Sequence, residues 1–163
     1  MACVKSVKYR VCFNSIETDT ISPTRGLRQG DPLSPYLFLL VAEGLSCMLK
    51  GAEERGELEG VKVCREAHVI SHLLFTDDSF ILMHANKKNV DCLSDILNRY
   101  CANSGQKVSE AKSSIYFSSN TEVDVKTEVY EVLNIMTESL SDKYLGLPVM
   151  VGAYRSDCFR HLY

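Results

Sequence analysis

The sequence predicts an α+β domain: an antiparallel sheet backed by helices. Three observations carry that reading. Short apolar runs cluster between residues 60 and 85, and the last two are separated by a tip too short for anything but antiparallel pairing. Three longer stretches repeat their apolar residues at helical spacing. The chain has 163 residues, 45% apolar and 24% charged, ordinary globular values and enough for one domain with a core.

The elements follow in order. In "VKYRVCF", Val7, Tyr9, Val11 and Phe13 alternate with Lys8, Arg10 and Cys12, which predicts a half-buried strand. Asn14-Ser15 offers a turn, and "IETDTI" returns as the second arm of a hairpin. "SPTRGLRQGDPLSP", with three prolines and two glycines, is loop. A helix then starts with Ser34 as N-cap and Pro35 at N1. Its first half is apolar nearly all round and should be buried; Gly56 stops it. "GVKVC" and "HVISHLLF" are strands, followed by Asp77-Asp78 and the strand "SFILMHA". Residues 89–103 form a helix with Val90, Leu93, Ile96, Leu97, Tyr100 and Cys101 on one face, closed by Gly105. "SSIYFS" is a short strand. "TEVDVKTEVYEVL" is an amphipathic helix opened by a capping box of Thr121 and Asp124. "KYLGLPVMV" is a last strand or hairpin.

Net charge is −3, whereas a nucleic-acid binder normally carries a basic excess. Such a role would rest on local patches or on a partner. The seven cysteines form no C-x-x-C pair. Those in apolar runs (Cys12, Cys47, Cys92, Cys101) read as buried reduced thiols of an intracellular, reducing compartment. No targeting signal is seen, since "MACVKSVKYR" lacks a continuous apolar core. The longest apolar run, around residues 36–42, is too short to cross a bilayer, so no membrane is expected.

The acid pair is the feature in need of a reason, because a strand interior avoids the cost of a buried charge. Asp is also common in plain turns. Alternatively, two carboxylates held by rigid apolar strands suit a hard divalent cation and phosphoryl chemistry. His68 and His72 have the spacing of a helical zinc pair, but lie in a β-rich stretch where residues four apart stand about 13 Å from each other.

The neighbouring segments bear on that choice. "RGLRQGDPLSPYLF" resembles motif B of reverse transcriptases, and "FTDDS" resembles motif C, usually F-A-D-D in this branch. "SGQKVSEAKSSIYFS" and "YLGLPVMVG" resemble motifs D and E. Over residues 4–152 the chain is similar to the palm region of a plant LINE-type (non-LTR) retrotransposon reverse transcriptase. The resemblance implies the palm of a right-hand polymerase, an RNA template, a DNA primer and two Mg²⁺ ions. It implies Asp77 as a direct metal ligand and Asp78 as a second carboxylate close by. Gly30 and Pro32 would shape the loop under template and nucleotide. Gln29 would hydrogen-bond near the nascent base pair, and Arg25 or Arg28 would meet phosphate or template. Lys112 would assist the leaving pyrophosphate or balance charge, and Gly146 would sit in the primer grip. Thr76 stands where the family usually has alanine.

Motif A is expected to supply a further carboxylate, yet residues 1–16 contain no Asp or Glu, and Glu17 and Asp19 come first in the hairpin return. The expectation is a partial palm domain, 1–152, beginning after motif A and lacking the fingers. A tail, 153–163, leads toward a missing thumb. Such a partial reverse transcriptase would be inactive alone. Alternatives are a split enzyme, completed by a second chain supplying fingers and motif A, and a non-catalytic RNA- or protein-binding remnant. Nucleus and organelle (mitochondrion) are both open.

Overall fold

The computed structural model describes residues 6–24 and 26–138, with the backbone of two short strands at 143–144 and 147–148. Helices and small antiparallel strand pairs alternate, an α+β arrangement. Strands β1 (Cys12–Phe13) and β2 (Ile16–Glu17) form the first hairpin. Its turn residues Asn14 and Ser15 both have positive φ, 50° and 63°, the twist a two-residue hairpin turn requires. Helix α1 (Ser34–Glu54) follows. Next come β3 (Val61–Lys62) with β4 (Val69–Ile70), and β5 (His72–Phe75) with β6 (Asp78–Ile81). Helices α2 (Lys87–Ser104) and α3 (Val123–Leu133) precede the pair β7 (Lys143–Tyr144) and β8 (Leu147–Pro148).

The expected continuous sheet is not what forms. Among the described residues the strands make four separate two-stranded pairs. "SSIYFS" contributes only a bridge from Ile115 to Glu138. Side-chain alternation says which way residues point and not how far a ladder extends, so it did not predict how short the strands are.

Local signals place the helix ends well. Gly56, at φ +66°, receives the chain after α1, its N–H donating to the Glu53 carbonyl. Gly105, at φ +74°, closes α2; both are left-handed positions that favour glycine. Two caps differ from expectation. Ser34 does not cap α1: Leu33 stands at the N-cap without a side-chain cap bond, the Asp31 carboxylate accepts from the Leu33 N–H at 2.9 Å in the turn before the helix, and the Ser34 hydroxyl donates to the Arg28 carbonyl at 2.6 Å. The Thr121–Asp124 box does not form, and Glu122 precedes α3 without a side-chain cap. Helix α2 begins two residues earlier than expected, since the Asn86 side chain accepts from the Asn89 N–H at 2.9 Å.

The core has two connected parts. Leu45, Leu49, Ala52, Leu58, Leu93 and Ile96 join α1 to α2, with Leu74 and Ile81 of the β5–β6 hairpin packed on them. Val90, Phe117 and Val129 join α2 to α3, and Met83 touches both parts. Fully buried Asn89 pins the connections: its Oδ1 accepts from the Glu59 N–H and its Nδ2 donates to the His84 carbonyl. The first half of α1 is not buried. Every buried residue of this helix lies from Leu45 onward, and Tyr36, Leu39 and Leu40 are exposed. By length and composition α1 is apolar enough to cross a membrane, but its buried residues Leu45, Leu49 and Ala52 are those of a packed core helix. Cys12 and Cys47 are exposed rather than buried, and Cys92 and Cys101 are half-buried.

Candidate functional site

The acid pair sits at the end of the β5–β6 hairpin, shifted by one residue from the expected apex. Phe75 pairs with Asp78, so the tip is Thr76–Asp77 and Asp78 opens strand β6. Thr76 has φ +47°, a region costly for a β-branched side chain, by about 1–3 kcal/mol for such outliers. Its hydroxyl donates to Asp77 Oδ1 at 2.9 Å. That bond, the Asp77 backbone N–H and the field of Lys112 hold the Asp77 carboxyl below its ordinary value of 3.8. Asp77 is therefore ionised at neutral pH, and Lys112 acts on it through space.

Strand alternation then separates the two acids. Leu74 and Ser79 share the face packed against α1, while Phe75 and Asp78 share the outer face, with Phe75 exposed. Asp77 borders an open cavity of about 240 Å³ on the packed side. Phe38, Ala42, Leu45 and Leu74 line it together with Thr76, Asp77, Ser79, Tyr100, Gln106 and Lys107. The Tyr100 hydroxyl donates to Gln106 Oε1 at 2.7 Å and fixes that rim.

The Gly- and Pro-rich loop lies against the other side of the same helix. Arg28 and Asp31 line a small cavity with Tyr9, Leu33, Ser34 and Leu37. Leu37 faces this cavity and its neighbour Phe38 the acid one, so the first turns of α1 stand between loop and acids. Gln29 and Gly30 form a turn, with Gly30 at φ +80°, and Pro32 precedes α1. Arg25 and Gly146 lie outside the described residues, as does the 153–163 tail.

Sequence reading missed three groups: Lys107 with Gln106 on the cavity rim and, elsewhere in the fold, buried Asn89 and a serine–histidine bridge. The bridge joins α1 to β5. Ser46 Oγ hydrogen-bonds His72 Nε2, and Ser71 Oγ hydrogen-bonds Nδ1, each at 2.9 Å. An asparagine beside an apolar helix stripe was the one sequence signal for Asn89; nothing local pairs Ser46 with a strand 26 residues on.

Burial, then Lys50, lowers the His72 pKa from its ordinary 6.5, against the opposing fields of Glu53 and Glu43. The fold thus prefers neutral imidazole. This stability is present above the unfolded value of 6.5 and is lost as pH falls through the lower folded value. Melting temperature is expected to drop between pH 7.5 and pH 5.5, and the drop to shrink in His72→Gln.

For magnesium, which the resemblance implies, the residues present offer only part of a ligand set. Two carboxylates supply the hard oxygen donors it favours. However, no group of three or more His, Cys, Asp or Glu able to hold a metal occurs among the described residues.

Comparison with known proteins agrees with the motif reading. A family model described as reverse transcriptase (RNA-dependent DNA polymerase) matches residues 2–149. An uncharacterized mitochondrial protein of Arabidopsis thaliana is 50% identical over 67 residues, 41% of this chain and 55% of that protein. The chain thus spans about half the length of the curated relative it matches.

Proposed function

Because the chain belongs to the reverse transcriptase (RNA-dependent DNA polymerase) family, we propose that it is a palm segment of a non-LTR retroelement polymerase, inactive as these 163 residues. In this reading Asp77 and Asp78 serve nucleotidyl transfer to a DNA primer on an RNA template once a further carboxylate joins them. The observation that carries it is the exposed acid tip: Asp77 is fixed by Thr76 and followed in the chain by Asp78 at the start of β6, and no group of three or more metal-ligating side chains occurs among the described residues.

The remaining roles follow the same frame. Arg28, with Arg25, would meet phosphate or template from the loop beside α1. Gln29, Gly30 and Pro32 would shape the floor under the nascent base pair. Lys112, already felt by Asp77, would balance charge there or assist the leaving pyrophosphate, and Gly146 would belong to the primer grip. Mg²⁺ would be the cofactor of the site once a further carboxylate joins Asp77 and Asp78. The mitochondrial name of the Arabidopsis relative supports an organelle as the compartment.

Primer extension on poly(rA)·oligo(dT) tests this. The chain alone is expected to give no template-dependent product. Adding a reverse transcriptase fragment that carries fingers and motif A, and stops before motif B, should restore extension. Extension by the chain alone, abolished in Asp77→Asn, would refute the claim of inactivity.

A further inference from the structure

Four described residues other than glycine have positive φ. Asn14, Ser15 and Asn134 are unbranched at Cβ, whereas Thr76, at +47°, is β-branched, and a branched residue is a genuine outlier there. Asp77, the other residue of the β5–β6 tip, is not among the four. Positive φ at the first tip position alone is the φ pattern of a type II′ hairpin turn, whose first place goes to glycine. Turn chemistry thus disfavours threonine at this place.

The hydroxyl of this disfavoured residue has a specific partner. Thr76 Oγ1 donates to Asp77 Oδ1 at 2.9 Å. Both residues are exposed, and an exposed side chain without a partner passes among its rotamers within nanoseconds. A hydroxyl bond to a charged acceptor biases one of them by about tenfold. The bond lies wholly within the tip, so it needs no helix and no other strand pair. The hairpin beneath is held firmly: Leu74 and Ile81 pack on the core, and Ser46 and Ser71 bond His72 where β5 begins. A strained residue persists where its surroundings over-determine it. Lys112 acts on Asp77 through its field, which attracts the carboxylate without selecting a rotamer.

We propose that Thr76 is a positioning residue: its hydroxyl holds the Asp77 side chain in one rotamer in the chain by itself, and the tip keeps threonine in place of a more stable glycine. The consequence for catalysis rests on the function proposed above, because the leading carboxylate is then oriented before a further carboxylate joins it.

Three-bond couplings from Asp77 Cγ to its backbone nitrogen and carbonyl carbon test this by NMR on the isotope-labelled chain, without metal or nucleic acid. One dominant rotamer is expected for Asp77, against averaged couplings for Asp78, which has no side-chain partner among the described residues. Thr76→Val keeps the branched shape and removes the hydroxyl; it should average the Asp77 couplings while the melting temperature stays near that of wild type. Thr76→Ser should restore the single rotamer, and Ser79→Ala, a hydroxyl lost elsewhere on the same cavity, should leave it in place. Thr76→Gly should average the couplings yet raise the melting temperature by about 2–4 °C, the relief of strain less the entropy of a freer unfolded chain. In complemented primer extension, Thr76→Val is expected to lower kcat about tenfold, the same factor as the rotamer bias, with nucleotide KM little changed and Thr76→Ser recovering the rate. The proposal is overturned if Asp77 of the wild type is rotamer-averaged, if Thr76→Val keeps the single rotamer, if Thr76→Ser fails to restore it, or if Thr76→Gly lowers the melting temperature. Full kcat in a Thr76→Val chain that has lost the rotamer would overturn the catalytic consequence. A wild type that gives no complemented extension would sink the polymerase reading instead, and the measurements on the chain alone would still decide the positioning role.

Discussion

Leu49→Ala is expected to lower the unfolding free energy by about 3–5 kcal/mol, the range for emptying a leucine site in a packed core. Leu49 is fully buried at the centre of the cluster that joins α1 to α2, between Leu45, Ala52, Leu58, Leu93 and Ile96. Little else takes up the load, since only ten hydrophobic side chains among the described residues are buried. Domains of this size hold about 5–15 kcal/mol in all, so the melting temperature should fall by roughly 10–20 °C. Leu39→Ala is the paired control on the same helix. Leu39 is exposed, and its truncation should stay within about 0.5 kcal/mol of wild type. Urea unfolding of both variants measures the contrast. Equal losses would place the first half of α1 in the core after all, as its all-round apolar sequence suggests.

That contrast marks where the sequence is legible and where it is not. Gly56, Gly105 and the Asn14–Ser15 turn were readable because each is dictated locally: a left-handed position follows from one or two residues. The order of helices and strands was readable for the same reason. Burial of Tyr36, Leu39 and Leu40 was not, because periodicity reports how apolar residues are spaced and not what covers them. Cys12 and Cys47 were misplaced by the same inference. The acid tip was misread by one position because register is a property of the strand pair: Phe75 opposite Asp78 puts Thr76, a residue that ordinary turn chemistry disfavours, at positive φ. The site's surroundings escaped for a further reason. Lys107, Gln106 and Tyr100 come to line the same cavity as Asp77 only through tertiary packing, and Ser46 reaches His72 only through the packing of α1.

The register shift also separates the two acids in the expected effect of removing them. In the complemented primer-extension assay, Asp77→Asn is expected to lower the rate by about 10³-fold, and Asp78→Asn by about 10²-fold, the two ends of the range for deleting one preorganised electrostatic group. Asp77 is the preorganised one. Thr76 donates to its Oδ1, and its carboxyl is held ionised by that bond and by the field of Lys112. Asp78 has no side-chain hydrogen bond or ion-pair partner among the described residues and opens strand β6 on the outer face beside Phe75, so its carboxylate is less constrained. Asparagine keeps the shape and can still accept from the Thr76 hydroxyl; what it removes is the negative charge. Asp77 is exposed and belongs to no core cluster, so the melting temperature should not change, which distinguishes lost chemistry from lost fold. Equal losses for the two variants would mean that the Thr76 bond does not set the working carboxylate apart. A larger loss for Asp78→Asn would reverse the assignment and make β6, rather than the tip, the source of the leading acid.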